Sequence, residues 1–141
     1  MIESFDAYKH FNRDEFDSPD EVGSGSRMNP EFMQRLSDAR NISIVPFKIN
    51  SGYRTTAKNR KAGGVKDSSH LIGRAADIAT PNSSVRFVVL NALMAVGFKR
   101  IGIGRTFIHV DDDVRKKQEI VFDYYPKRSL LSLLGFKKQD I

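Results

Sequence analysis

The chain has 141 residues, 40% of them hydrophobic and 28% charged, and this composition is typical of a single globular domain with a buried core. It contains no cysteine, which excludes disulfides, thiolate metal ligands and cysteine nucleophiles. The formal net charge of +6 is compatible with a solvated basic surface or with attraction to a polyanion, such as nucleic acid, a membrane surface or an anionic cell-wall polymer.

The N-terminal part of the chain predicts a polar arm, a helix and a strand. Residues 1–27 are polar with scattered aromatic side chains, which we expect to anchor this arm on the domain. Asn29 and Pro30 predict the start of a helix that ends near Asn41, because asparagine is a good N-cap and proline fits the first helical turn. Alternating apolar residues then predict a strand over residues 42–50.

The middle of the chain predicts a long loop followed by strands and a second helix. Residues 51–73 are rich in glycine, serine, lysine and asparagine, and a loop of this length in a compact domain is usually functional or disordered; Arg54 and His70 in this loop favour a functional one. A short strand is expected over residues 74–79 and an apolar helix over residues 84–96. Residues 98–103 and 106–111 predict the two strands of a hairpin.

The C-terminal part of the chain predicts a last strand and a tail. Residues 119–124 predict the strand, so the whole pattern indicates an α+β fold with a small antiparallel sheet flanked by two main helices. We expect one domain over residues 1–125 and a basic amphipathic tail over residues 126–141. Packing of the tail against its own domain is favoured, and contact with a membrane or a partner is the alternative. No basic segment followed by an apolar one opens the chain, so we expect no signal peptide.

Two of the three histidines lie among polar or acidic neighbours and suggest a metal site. His70, Asp77 and His109 form a set of two imidazoles and one carboxylate, which zinc accepts and which leaves one coordination position open. Asp77 and His109 share one face if their two predicted strands pair, while His70 comes from the preceding loop. By spacing alone an ordinary surface or core role for these histidines is favoured, because such pairs occur often by chance.

A series of short motifs surrounds these residues. In chain order they are Ser51, Gly52, Tyr53 and Arg54; Asn59; Gly63 and Gly64; Ser69 and His70; residues 73–78; and residues 107–111. Together they resemble the signature of the D-alanyl-D-alanine carboxypeptidase family of zinc peptidases, in the short single-domain type of bacteria and their phages. That family includes endolysins that cut peptidoglycan stem peptides. The resemblance implies a hedgehog/D-Ala-D-Ala-peptidase-like fold and one Zn²⁺ ion.

The resemblance also implies the roles of individual residues. His70, Asp77 and His109 take the positions of the zinc ligands. Arg54 matches an arginine that lies beside the zinc and contacts the carbonyl or carboxylate oxygen of the substrate. The chemistry agrees, since a guanidinium binds a carboxylate through two N–H groups or stabilises a developing oxyanion. A structural salt bridge is the alternative role of Arg54.

One position departs from the family pattern. Many members carry an acidic general base three residues before the last zinc histidine, and Thr106 in this position cannot accept a proton in that role. Asp111 shares the face of His109 and is the candidate catalytic base, acting through water, while orientation of the His109 ring is an equally favoured alternative. Tyr53 and Ser69 are candidate substrate-binding residues, with shaping of the turn and support of the neighbouring ligand as their alternatives.

The function that the resemblance implies is zinc-dependent hydrolysis of amide bonds in peptidoglycan stem peptides, as a carboxypeptidase or an endopeptidase, through a zinc-activated water. The missing acid at Thr106 favours one alternative, a catalytically inactive module that binds wall peptides or a partner. Nucleic-acid binding and a serine or threonine nucleophile are both disfavoured, because neither has a recognisable motif here. We expect a monomer, synthesised in the cytoplasm and acting on the cell wall, of phage or prophage origin.

Overall fold

The computed structural model describes residues 1–125 and 134–135, so the predicted tail over residues 126–141 lies outside the described residues apart from Leu134 and Gly135. The helices are α1 (Pro30–Ile42), α2 (Thr56–Lys61) and α3 (Ser83–Ala95); the strands are β1 (Ile49–Ser51), β2 (Ala75–Ala79), β3 (Arg100–Ile103), β4 (Phe107–Asp111) and β5 (Ile120–Asp123). Short 3₁₀ turns lie at Arg13–Phe16, Ser24–Arg27 and Ser69–Ile72. Within the described residues, no helix combines the length and the apolar character needed to cross a membrane.

The strands form one mixed sheet, in the order β1-β2-β4-β3-β5. All neighbouring pairs are antiparallel except β3 and β5, which are parallel, so the α+β class is confirmed while the fully antiparallel sheet is corrected. The reason lies in residues 112–119, which lead from the end of β4 past the start of β3. Because Ile120 then pairs with Arg100, β5 must run in the same direction as β3.

The two predicted main helices are confirmed within one residue at each end. The Asn29 side chain accepts hydrogen bonds from the backbone N–H groups of Glu31 and Phe32, at 2.9 and 3.1 Å, and so caps α1. Asn82 caps α3 in the same way, through the N–H of Val85 at 2.9 Å. Each cap satisfies N–H donors that have no partner inside the helix.

The predicted strand over residues 42–50 is wrong in extent, since only Ile49–Ser51 pairs with β2. Ile42 instead belongs to the last turn of α1, and Ile44 is exposed. Pro46 has no backbone donor for a ladder, so the chain reaches the sheet only after it. The predicted loop over residues 51–73 also contains a helix, α2, whose start is capped by the Thr55 side chain.

The hydrophobic core fills one face of the sheet. Alternate residues of β2 and β4, among them Ile78, Ile108 and Val110, face α1 and α3 and are fully buried. The aromatic residues of the N-terminal arm join this core, as expected; Phe16, for example, is fully buried. The opposite face of the same strands carries polar side chains, so the sheet separates the core from the candidate site.

Candidate metal centre

The two central strands of the sheet bring Asp77 and His109 together. They are direct partners in the antiparallel ladder of β2 and β4, so both side chains project from the same face. His109 Nδ1 lies 2.9 Å from Asp77 Oδ1. The expected strand pairing is therefore confirmed, and it is the pleat of the sheet that directs these two side chains away from the core.

His70 reaches the same point from the 3₁₀ turn Ser69–Ile72. Gly73 ends this turn with a φ of +69°, and a Cβ there would lie 2.3 Å from the backbone oxygen of Arg27, so only glycine fits. His70 Nδ1 donates a hydrogen bond to the backbone oxygen of Gly52 at 2.7 Å. Because a carbonyl can only accept, this bond places the proton on Nδ1 and leaves Nε2 free, 3.4 Å from Asp77 Oδ1.

His109 is oriented by a buried carboxylate behind its ring. His109 Nε2 lies 2.7 Å from Asp111 Oδ2, and Asp111 is only 1% exposed. The carboxylate accepts from Nε2–H, so it is Nδ1 that faces Asp77 and His70. A partner on the far ring nitrogen is the usual way in which a protein fixes a metal-ligating histidine.

These three side chains fit a zinc ion. One ligand atom from each of His70, Asp77 and His109 lies within 4.8 Å of the other two, and the three residues could hold a metal ion. Two imidazole nitrogens and a carboxylate oxygen are a catalytic zinc donor set, since they leave a fourth position open. Both imidazoles have their second nitrogen satisfied by the protein, by Gly52 in one case and by Asp111 in the other.

The charges at the site favour a cation. Burial disfavours the charged form of Asp77, but the adjacent imidazoles of His109 and His70 outweigh it and hold the pKa of this carboxyl well below its usual range. Burial also works against the charged form of His109, yet the carboxylates of Asp111 and Asp77 raise the pKa of its imidazole above the ordinary value. Asp77 therefore stays negatively charged at neutral pH.

Arg54 is fixed beside Asp77 by three hydrogen bonds. Its Nε donates to Ser51 Oγ at 3.0 Å, its Nη1 to Asn59 Oδ1 at 3.2 Å and its Nη2 to Asp77 Oδ2 at 3.2 Å. The short helix α2 supplies the buried Asn59, whose amide packs on Gly64; a Cβ at Gly64 would lie 2.1 Å from Asn59 Oδ1. The glycine motif thus makes room for the residues that position the guanidinium.

A cavity of about 440 Å³ opens over this group. Its far wall consists of residues that the sequence did not single out: Arg100, Lys116, Phe122 and Tyr124. Burial and the nearby carboxylates raise the pKa of the Tyr124 phenol, so its hydroxyl stays protonated and can donate a hydrogen bond. The sequence signal that could have identified Phe122 and Tyr124 is the alternation of residues 119–124, which places these two side chains on one face of a strand.

Gly102 makes room for the rings of Phe122 and Tyr124, which form the aromatic wall of the cavity. It pairs with His109 on one side and with Phe122 on the other, and a Cβ at Gly102 would lie 2.6 Å from the Phe122 ring and 2.8 Å from the Tyr124 ring. Because Gly102 has no side chain, both rings lie over β3 and approach His109, at centroid distances of 6.1 and 6.4 Å.

For three candidate residues the geometry favours the alternative role over substrate binding or proton transfer. Tyr53 is not among the residues that line the cavity; it packs beside the core with the Arg27 guanidinium over its ring, 5.5 Å from the centroid. Ser69 lines the cavity but is 2% exposed, and its hydroxyl donates to Asp113 Oδ2 at 2.7 Å. The geometry of Asp111, behind the His109 ring, favours orientation over proton transfer.

Comparison with known proteins identifies the family of the chain. The sequence profile of the Peptidase M15 family matches residues 9–111, so the chain belongs to this family of zinc-dependent, D-Ala-D-Ala carboxypeptidase-like peptidases. The resemblance found in the sequence is thereby confirmed, and membership supports a peptidase activity. No curated protein matches the chain. The match ends at the last residue of β4, so the aromatic wall on β5 lies beyond it.

Proposed function

We propose that the protein is a zinc-dependent peptidase that hydrolyses amide bonds in peptidoglycan stem peptides. The observation that carries this proposal is the convergence of His70, Asp77 and His109 in one open cavity, with Arg54 fixed beside them. Membership of the Peptidase M15 family supports the reaction class. The formal net charge of +6 supports an anionic polymer such as the cell wall as the partner.

The chain's own residues would bind the metal and the substrate. His70 Nε2, His109 Nδ1 and the Asp77 carboxylate would hold the zinc ion. Zinc in such a site supplies a Lewis acid that polarises the scissile carbonyl and acidifies water. Arg54 is held in place before substrate binds, so its guanidinium can stabilise an oxygen that becomes negatively charged without reorganising.

The carboxylates that could transfer a proton bear on the alternative function, a binding module without catalysis. Among the described residues that line the cavity, the carboxylates are those of Asp77 and Asp111, and each already bonds to a histidine. Thr106, in the position of the family's usual acid, is an exposed residue of the turn before β4. This arrangement favours, as the second candidate, a zinc-containing module that binds wall peptides without cleaving them.

One experiment decides between the two functions. The purified protein is analysed for zinc content and incubated with peptidoglycan, and released peptides and amino acids are identified by mass spectrometry. The peptidase predicts zinc binding and product release, both abolished by His70→Ala. His10→Ala is the matched control, because His10 is exposed on the N-terminal arm.

The opposing outcomes are distinct. Wall binding without any product over long incubation would select the binding module. Cleavage at the wild-type rate by His70→Ala would show that the reaction does not depend on this metal group at all.

A further inference from the structure

A second cavity adjoins the candidate metal centre. It has a volume of about 300 Å³ and is lined by residues of the N-terminal arm, of β1 and of α2. Four residues line both cavities: Arg54, Ala62, Asp77 and Phe107. His70 and His109 face the first cavity, so the metal-binding group lies where the two cavities meet.

The two cavities together form one cleft that crosses the face of the sheet. The first extends over β4 and β3 to the aromatic residues of β5, at one edge. The second extends from Asp77 on β2 to Asn50 and Ser51 on β1, at the other edge. Because β2 and β4 are neighbouring inner strands, Asp77 and His109 lie between the two halves. A peptide that follows this cleft would have residues on both sides of the metal-binding group.

Each half of the cleft also carries one lysine with no ion-pair partner within the part of the chain that the structure describes. Lys116 lines the first cavity and Lys58 the second, and both are half-buried. The guanidinium of Arg100, by contrast, is already bonded to Asp111 and to the backbone oxygen of Lys117. A positive charge on the wall of a cavity, without a counter-charge of its own, favours an anionic ligand there.

The one carboxylate that lines the second cavity besides Asp77 is already engaged. Asp17 accepts hydrogen bonds from the backbone N–H groups of Gly23 and Gly25, at 2.9 and 2.7 Å. It therefore serves the turn that folds the N-terminal arm. The charge of Lys58 stays available to a ligand.

We propose that the second cavity is a substrate subsite, and that the enzyme is an endopeptidase for acidic peptides that extend on both sides of the scissile bond. Lys58 and Lys116 each bind a carboxylate of the substrate, one on either side. In the reaction one water is consumed: its oxygen and one hydrogen go to the carbonyl carbon as the C–N bond breaks, and the other hydrogen goes to the amine. This assignment rests on the proposed function, since it names the substrate of the same site.

The test uses three peptides and the zinc-loaded full chain. One is a soluble peptidoglycan peptide with carboxylates on both sides of an internal amide; the other two are the same peptide shortened on the N-terminal or on the C-terminal side. Mass spectrometry identifies the bond cut, and initial rates give kcat and KM. We expect cleavage of the internal bond, with two peptide fragments as products.

The lysine variants assign the two halves of the cleft. Lys58→Ala should raise the KM for the long peptide about fivefold, the value of one partly exposed ion pair, with kcat unchanged. The increase in KM caused by Lys58→Ala should vanish for one of the shortened peptides. The increase caused by Lys116→Ala should vanish for the other shortened peptide. Lys61→Ala and Lys117→Ala are matched controls, because both lysines are exposed neighbours on the same segments.

Release of only the terminal residue, or an equal effect of Lys58→Ala on all three peptides, would overturn the subsite while leaving the zinc peptidase intact. No cleavage of any peptide by the zinc-loaded protein would refute the proposed function, and the endopeptidase assignment with it.

Discussion

Replacement of Asp111 by asparagine separates orientation of His109 from proton transfer. Asp111 Oδ2 accepts from His109 Nε2 at 2.7 Å and from Arg100 Nε at 3.2 Å, while Oδ1 accepts from the backbone N–H of Asp113 at 3.1 Å. An asparagine has one oxygen and one NH₂ group, so one of these two sides loses its acceptor, and in either orientation His109 loses the negatively charged partner that raises the basicity of its ring. Loss of such an orienting partner weakens metal affinity about 10- to 100-fold, or about 1.4–2.8 kcal/mol.

The assay measures zinc affinity by competition with a chelator, and kcat at saturating zinc. If Asp111 orients His109, Asp111→Asn weakens zinc binding by this factor and retains most of kcat once zinc saturates the site. Unchanged zinc affinity with a loss of kcat of about 10²- to 10⁴-fold would refute the orienting role and identify a general base. Asp112→Asn is the control, because this neighbouring carboxylate bonds instead to Arg74 at 3.0 Å.

Three further predictions concern stability and the cavity wall. Zinc at about 100 times its Kd should raise the free energy of unfolding by about 2.7 kcal/mol, a chelator should reverse this, and His70→Ala should abolish it in thermal unfolding. Gly102→Ala should raise KM at a cost of about 1 kcal/mol of stability, the low end for overpacking, because the Cβ would meet only the outer atoms of the aromatic rings; an unchanged KM would exclude the rings from substrate binding. Asp113→Asn should destabilise the fold at pH 7, and by progressively less as the pH falls below about 4, as measured by denaturant unfolding over a series of pH values. Bonds from Arg115 and Ser69 hold the pKa of Asp113 well below its usual range, so its stabilisation is present above the unfolded-state pKa of about 3.9 and is lost as the pH falls through the lower folded-state value.

Local patterns in the sequence predicted the elements that carry the site, while the family resemblance supplied the roles of its residues. The strand alternation around Asp77 and His109 predicted their common face, and the ladder pairs these two residues directly. The predicted cap Asn29 marks the start of the first main helix and is observed. Such features depend on residues close together in the chain, which is why a single sequence reveals them.

The features that were missed depend on contacts between distant segments. The six residues of α2 have no apolar periodicity; the helix is held by the Thr55 cap and by the buried Asn59, which bonds to Arg54 and Val65. The parallel pairing of β5 depends on the path of residues 112–119 around β3. Lys116 reaches the cavity through that same path, and nothing in its local sequence distinguishes it from the exposed Lys117.

The glycine at the centre of β3 has a consequence for engineering this enzyme. Gly102 separates the strands that carry Asp77 and His109 from the edge strand whose rings form the cavity wall. Residues 120–125 can therefore be exchanged for a segment of different shape while Asp113 keeps its bonds to Ser69 and Asp111 and the three side chains of the metal-binding group stay in place. A library confined to this segment should yield enzymes that differ in the peptide they accept and keep the same hydrolytic chemistry.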